Sequence, residues 1–245
     1  MGQAVYRGGR FTSSAIFALI KEGRGKEDIF GAPALTYIQE VNIERLLGRG
    51  LDSDVYSRPI IWGNLMEKIA FEMLPMEYSL ISDKGRVHPE YDFWAGAADL
   101  EVKGQLIAEI KCYQLKKFAT YTDCIMKQDV QLFKKEYPQE YWQIVSNAVI
   151  NGVDIGEAIS FIPYKSELEQ IRKDIADTNL LERFGFEPWQ ARFITEEKIE
   201  SLPYINDKGY FKNLTSFKFI VPQDDKDLLE ERVVLASKYL SKIKY

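Results

Sequence analysis

Charged side chains alternate with apolar ones in a segment whose sequence predicts a β-hairpin. β-prone runs flank Lys103-Gly104-Gln105, where the glycine favours a turn. If these three residues form the loop, Asp99 on the first strand lies directly opposite Glu109 on the second. Because side chains alternate along a strand, Lys111 then shares a face with both carboxylates, and Ile110 points to the opposite face. Two carboxylates and an ammonium group are therefore expected in one small patch.

This patch has the composition of a site for a divalent cation. Two adjacent carboxylates repel each other, and partial burial would favour the neutral form of at least one. Mg²⁺ removes the conflict, because it takes oxygen ligands and needs only one or two protein carboxylates besides water and phosphate oxygens. Lys111 could hold or activate an attacking water, so the patch suits metal-assisted hydrolysis of a phosphodiester. The alternative is a solvated strand face without a function, and spacing alone does not decide between the two.

The Glu-x-Lys pattern also occurs at Glu101-Val102-Lys103 and at Glu196-Glu197-Lys198. The first copy lies on the same short strand as Asp99, so it cannot pair with Asp99 across the hairpin. The second copy lies in a polar stretch that is predicted to be helical. Only Glu109-Ile110-Lys111 has interleaved apolar residues and an aspartate on the preceding strand.

With its flanking motifs, the hairpin resembles the PD-(D/E)XK nuclease signature. The motifs that carry the resemblance are Trp62-Gly63-x-x-x-Glu67, the Gly-Ala-Ala-Asp run that ends at Asp99, Glu109-Ile110-Lys111, and Tyr141-Trp142-Gln143. Together they are similar to the phage lambda exonuclease and YqaJ-like viral recombinase family, from about Arg7 to the C-terminal helix. Ala98 stands where that family has a proline, which shapes the backbone and carries no chemistry.

The resemblance implies an α/β fold with a restriction-endonuclease-like core, in which helices flank a central mixed β-sheet. Because the sequence shows no internal repeat and no linker, we expect one domain over residues 1–245, with residues 165–213 as a helical excursion on the rim. By the same resemblance, Mg²⁺, for which Mn²⁺ can substitute, is held by Asp99, Glu109, the carbonyl of Ile110 and Glu67. Lys111 and Gln143 are expected to orient or activate the attacking water.

A second group of residues is expected to bind a DNA end. Thr12-Ser13-Ser14 reads as the N-cap of a helix over residues 15–20, and a helix N-terminus with hydroxyls can bind an anion. A capped helix without a ligand is the simpler interpretation. The resemblance assigns Arg7 and Ser14 to the 5′-phosphate, with Arg10 as an additional candidate. It places Lys117 where the family usually has arginine. Lysine lacks the planar guanidinium group with which arginine binds a phosphate through two hydrogen bonds.

The composition of the 245 residues is that of an ordinary globular protein, with 46% hydrophobic and 28% charged residues. Two cysteines provide no disulfide framework and too few ligands for a four-cysteine iron–sulfur cluster. The single histidine argues against a His-based site. Because neither a membrane-spanning run nor a signal-peptide pattern is found, we expect the cytoplasm of a bacterium or of a phage-infected cell.

The net charge of −5 argues mildly against binding to nucleic acid, since proteins that bind DNA usually present a basic surface. Basic residues are nevertheless concentrated before residue 27 and directly after the hairpin, so a basic cleft in an acidic protein is expected.

The resemblance implies a Mg²⁺-dependent 5′→3′ exonuclease that acts on the ends of linear duplex DNA in phage-type recombination. It also implies a single-strand annealing protein as a partner and a ring-forming homotrimer, with no membrane association. The sequence leaves two alternatives open. One is a PD-(D/E)XK endonuclease of restriction or repair type, and the other is a catalytically inactive DNA-binding module.

Overall fold

A computed structural model describes residues 8–23, 25, 29–51, 57–81, 85–176 and 178–240. In these ranges the strands are β1 (Phe11–Thr12), β2 (Ser79–Leu80), β3 (Arg86–Val87), β4 (Trp94–Gly96), β5 (Leu100–Val102), β6 (Leu106–Lys111), β7 (Ile155–Phe161) and β8 (Leu214–Ile220). The helices are α1 (Phe17–Ile20), α2 (Ala32–Leu47), α3 (Arg58–Glu72), α4 (Leu115–Met126), α5 (Val130–Glu136), α6 (Pro138–Asn151), α7 (Lys165–Ala176), α8 (Thr178–Arg183), α9 (Pro188–Glu196) and α10 (Gln223–Ser237), with a 3₁₀ turn at Ile199–Ser201.

The main sheet has five strands in the order β2-β5-β6-β7-β8. Only β6 and β7 are parallel; the other neighbours are antiparallel, so the sheet is mixed. Val102 pairs with Leu106, which confirms the predicted hairpin around Gly104. Gly104 has φ = +70°, a conformation that glycine adopts without the steric penalty of a side chain. The expected α/β architecture, a mixed sheet flanked by helices, is confirmed.

Helices cover both faces of the sheet and form two apolar cores. The first core contains Ile107 of β6 and lies under α2, α4, α5, α6 and α10. The second contains Ala108 and Ile110 of β6 and lies under α3, α7, α8 and α9. Alternation along β6 thus sends successive residues into different cores, as a strand that is buried on both faces requires.

The segment over residues 165–213 contains the expected helices, which reach as far as the 3₁₀ turn at Ile199–Ser201, but its predicted place on the rim is wrong. Leu168, Ile171 and Ile194 from this segment are buried in the second core. The segment therefore covers one face of the central sheet.

None of the helices in the described ranges has an apolar stretch long enough to span a bilayer.

A second, three-stranded sheet connects the N-terminal segment to the strand before Asp99. β1 runs parallel to β4, with Phe11 opposite Trp94, and β3 pairs with the other edge of β4. The predicted N-cap is therefore wrong, because Thr12 belongs to a strand and α1 begins only at Phe17. Strand pairing with β4 overrides the local helix-start signal, and the four-residue α1 offers no extended helix dipole.

Candidate active site

The hairpin of β5 and β6 places the predicted carboxylates side by side. The ladder pairs Leu100 with Ala108, so Asp99 follows in register opposite Glu109. Oδ2 of Asp99 accepts a hydrogen bond of 2.8 Å from the backbone N–H of Ile110. Because the N–H and C=O of a strand residue point to the same neighbouring strand, the Ile110 carbonyl faces the Asp99 side as well.

Helix α6 supplies amide groups that hold both oxygens of Glu109. Gln143 donates from Nε2 to Oε2 at 2.6 Å, and Asn147 donates from Nδ2 to Oε1 at 2.6 Å. These residues are four apart and therefore share one face of the helix. Helix α6 starts with Pro138 and is terminated by Gly152, which follows Asn151 in a left-handed conformation, so local signals define its boundaries.

Lys111 completes the group around Glu109. Its Nζ lies 3.2 Å from Oε2 of Glu109. Burial raises the pKa of Glu109 to about 8, and the Asp99 carboxylate adds to the rise, whereas Lys111 and Asn147 oppose it. Burial would lower the pKa of Lys111, but Glu109 and the other carboxylates outweigh it and raise that pKa. The lysine therefore remains an ammonium group at neutral pH.

Glu67 joins the cluster from α3. Its neighbours Leu65 and Met66 are buried in the second core. Glu67 itself is only half-buried, at the border of the helix face that contacts this core. Burial raises the pKa of Glu67 well above its ordinary value, and the Asp99 carboxylate raises it further. The structure thus brings Glu67, Asp99, Glu109, Lys111 and Gln143 together, as the sequence predicted. Their roles in chemistry stay predictions.

The donor set suits a hard cation such as Mg²⁺, because it offers carboxylate oxygens and one carbonyl. Among the described residues, no three His, Cys, Asp or Glu side chains are grouped as a ready-made metal site. Oδ2 of Asp99 accepts from Ile110, and both oxygens of Glu109 accept from side chains. The residue types fit the ion. Its binding would require the carboxylate oxygens to give up these hydrogen bonds and to coordinate the ion instead.

Sequence reasoning missed Asn147 and Glu140, which lie on the same face of α6 as Gln143. Asn147 is fully buried, and its Oδ1 has no hydrogen-bond partner in the described part of the chain. Glu140 accepts hydrogen bonds from Tyr113 at 2.5 Å and from Lys117 at 2.9 Å. The spacing of three and four residues from Gln143 was the available signal.

The predicted phosphate-binding residues are only partly accounted for. Arg7 lies outside the described residues. Arg10 donates from Nε to the backbone oxygen of Asp92 at 2.8 Å, so its side chain supports the loop before β4. Ser14 is exposed and lines a cavity of about 510 Å³ together with Gln139, the neighbour of Glu140 on α6.

Lys117 is held in place beside the candidate active site. It forms an ion pair with Glu140, and its ammonium lies 3.8 Å from the centre of the Tyr113 ring. Burial opposes the charged form of Glu140, but the hydrogen bonds from Tyr113 and Lys117 outweigh it and lower its pKa. A bound phosphate would therefore have to share Lys117 with Glu140.

Solved structures of exonucleases share the fold of this chain. An alkaline exonuclease (LHK-Exo) from Laribacter hongkongensis matches with a TM-score of 0.58 and 13% identity, over 95% of this chain and 88% of that chain. The complex of LHK-Exo with dAMP matches with a TM-score of 0.60 and 13% identity, over 96% and 89%. A phage-related exonuclease from Haemophilus somnus 129PT matches with a TM-score of 0.59 and 18% identity, over 94% and 92%.

Neither a protein-family model nor a curated protein sequence matches the chain. At these low identities the structural similarity establishes the fold alone. The chain has the fold of these exonucleases, as its resemblance to the lambda-exonuclease-like PD-(D/E)XK nucleases predicted.

Proposed function

We propose that this protein is a metal-dependent deoxyribonuclease, and more specifically a 5′→3′ exonuclease on linear duplex DNA. The observation that carries the proposal is the cluster of Asp99, Glu109 and Lys111 at the end of a hairpin, on a fold shared with exonucleases. A solvated strand face is the weaker interpretation, because Glu109 is fully buried and held by three side-chain donors.

Asp99, Glu109 and the carbonyl of Ile110 would hold Mg²⁺ or Mn²⁺, with Glu67 as a further ligand. When bound, the ion would supply a Lewis acid that stabilises the negative charge developing on the phosphate. It would also offset the burial and, after it, the mutual repulsion that raise the pKa values of Glu67 and Glu109 in its absence.

The protein side chains would position the reactants. Lys111, as an ammonium group between the carboxylates and the substrate, would hold the attacking water and balance the charge of the phosphodiester. Gln143 would orient the same water while keeping Glu109 in place through its amide. Asn147 would act only through Glu109, as a positioning residue.

Action on DNA ends is proposed from the position of Ser14 and Lys117 beside α6. Ser14 lines a cavity with Gln139, and Lys117 forms an ion pair with Glu140, so both candidates lie near the start of α6. A single-strand annealing protein and a ring-forming trimer remain proposals that rest on the resemblance, as does the role in phage-type recombination.

The test is cleavage of end-labelled linear duplex DNA by purified protein with Mg²⁺, and with chelator instead. We expect release of nucleotides only with the ion. Asp99→Asn, Glu109→Gln and Lys111→Ala should each abolish cleavage while the melting temperature shows that the fold is kept. Cleavage at the wild-type rate by any of these variants would remove the site assignment. Binding of DNA without cleavage by the wild type would favour the inactive DNA-binding module.

A further inference from the structure

Residues Asn206–Asn213, here called the connector loop, lead from the helices of the second face into β8. The backbone oxygen of Asn213 accepts a hydrogen bond of 2.9 Å from Ile162, just beyond the end of β7. β7 is parallel to β6, with Ser160 opposite Lys111, so this is the sheet edge that carries Lys111. β8 is two strands from β6, or about 10 Å. The connector loop therefore lies at the same edge of the sheet as Lys111, two strands away from it.

Aromatic side chains of this loop pack against the start of α4. Phe211 contacts Phe118 edge to face, with ring centres 5.8 Å apart. Tyr210 in turn contacts Phe211 at 5.0 Å, yet 77% of Tyr210 is exposed to solvent. Leu115, the first residue of α4, is 49% exposed. The Tyr210 ring is thus supported from one side and open on the other.

These residues surround a cavity of about 390 Å³. Its apolar lining comes from Leu115, Leu202, Tyr204, Ile205, Tyr210 and Phe211. The size and the aromatic lining are those of sites for small flat ligands, and polar groups of Asn206 and Glu200 reach its wall. A nucleobase matches this chemistry, because it has apolar faces for stacking and polar edges for hydrogen bonds.

The surroundings of the cavity are basic. Lys208 and Lys212 flank the two aromatic residues of the connector loop, and Lys116 follows Leu115; all three lysines are exposed. Within the described part of the chain, no carboxylate forms an ion pair with any of them. The nearby carboxylates of Glu200 and Asp207 are bound by other side chains of the protein. The ammonium groups of these three lysines can therefore bind phosphate groups.

We propose that the connector loop and the start of α4 bind single-stranded DNA, with one unstacked base against Tyr210 in the aromatic cavity and Lys116, Lys208 and Lys212 near the phosphates. Bases inside a duplex are stacked on one another, so a site that binds an unstacked base requires an unpaired strand. The inference rests on the proposed function, because a nuclease that removes one strand of a duplex leaves the other single beside its active site.

Fluorescence anisotropy with a labelled oligothymidylate, in chelator, measures this binding without hydrolysis. Tyr210→Ala should weaken binding roughly 5- to 100-fold, as expected for the loss of one base–aromatic stack, and Tyr210→Phe should bind like the wild type. The matched control is Tyr239→Ala, which removes another exposed tyrosine, beyond the end of α10, and should leave binding unchanged. An abasic strand of equal length should bind the wild type and Tyr210→Ala equally weakly.

The inference is overturned if Tyr210→Ala binds oligothymidylate within twofold of the wild type, or if the abasic strand binds the wild type as tightly as the normal strand. Lack of measurable binding by the wild type overturns it too. Because chelator prevents hydrolysis, these outcomes are separate from the nuclease assay. Cleavage of DNA by Tyr210→Ala, with undiminished strand binding, would refute this site and leave the proposed function intact.

Discussion

At the scale of single residues, Glu109 is the centre of the candidate site. Lys111, Gln143 and Asn147 all donate to its carboxylate, and it is completely buried. Alternation along the hairpin was sufficient to predict that Asp99 and Glu109 are neighbours. The amide of Asn147 could not be predicted in the same way, because its contact joins residues 38 positions apart in the sequence.

The raised pKa of Glu109 predicts a stability that depends on pH in the metal-free protein. Between its ordinary value of 4.5 and about 8, the folded state holds a proton that the unfolded state has lost. The free energy of unfolding should therefore fall as pH rises through this interval. Urea unfolding of the wild type and of Glu109→Gln, both in chelator, measures the effect.

In that comparison, the difference in stability between Glu109→Gln and the wild type should grow in favour of the variant as pH rises. The comparison cancels the titration of groups that do not interact with Glu109, including Glu140, whose lowered pKa acts in the opposite direction. A difference that does not change with pH would show that Glu109 is ionised in the folded state throughout.

Asn147 is predicted to position Glu109 for ion binding. Asn147→Leu keeps the side-chain size but removes the hydrogen bond, so activity and Mn²⁺ affinity should fall roughly 10- to 100-fold, as for other residues that support metal ligands. Titration with Mn²⁺ measures the affinity apart from activity. Ser146→Ala is the matched control, because Ser146 is buried beside Asn147 and bonds to Trp94 and Ser13 rather than to Glu109. Equal ion affinity in Asn147→Leu and the wild type would contradict the assignment.

At the scale of elements, those with strong local signals were predictable. The turn at Gly104 and the limits of α6, set by Pro138 and Gly152, follow from backbone preferences of single residues. Strand β1 was not predictable, because Phe11 and Thr12 become a strand only by pairing with β4 across more than 80 residues. The helices over residues 165–213 were predictable as helices, but their burial depends on contacts with α3 and the sheet.

Helix α3 places Glu67 at the border of its buried face, which predicts a role in ion binding rather than in stability. Glu67→Gln removes a charge that burial and Asp99 disfavour. We expect a strong loss of cleavage with an unchanged or slightly higher melting temperature, measured in chelator. Glu72→Gln, at the exposed end of the same helix, should cleave normally. A large loss of stability with normal cleavage would show that Glu67 is structural.

At the scale of the whole molecule, charge distribution matters more than the net charge of −5. Lys116, Lys117, Lys208 and Lys212 belong to elements that meet at the sheet edge where β6 ends, so a basic surface borders the candidate site. The sequence showed only the first two as a basic segment. The other two join them through the packing of Phe211 on Phe118.

The arrangement of Ser14 and Lys117 predicts a preference for 5′-phosphorylated ends. A terminal phosphate carries more charge than an internal diester and should compete better with Glu140 for Lys117. Linear duplex with 5′-phosphates should be degraded faster than the same duplex with 5′-hydroxyls. Lys117→Ala should lower the preference roughly tenfold, as expected for the loss of a hydrogen bond to a charged group.

The control is Lys135→Ala, since Lys135 on α5 is a largely exposed lysine whose paired carboxylate is that of the adjacent Glu136. It should keep the preference of the wild type. Equal rates on both kinds of end in the wild type would refute the phosphate assignment, whatever the rate of hydrolysis.

The most direct test of the account is one digestion of linear and closed circular duplex DNA of the same sequence, mixed in one tube with Mg²⁺. The wild type should degrade the linear DNA and leave the circles, and Asp99→Asn should leave both. Efficient cutting of closed circles by the wild type would contradict the exonuclease and indicate an endonuclease. Degradation of linear DNA by Asp99→Asn at the wild-type rate would contradict the assignment of Asp99 to the active site.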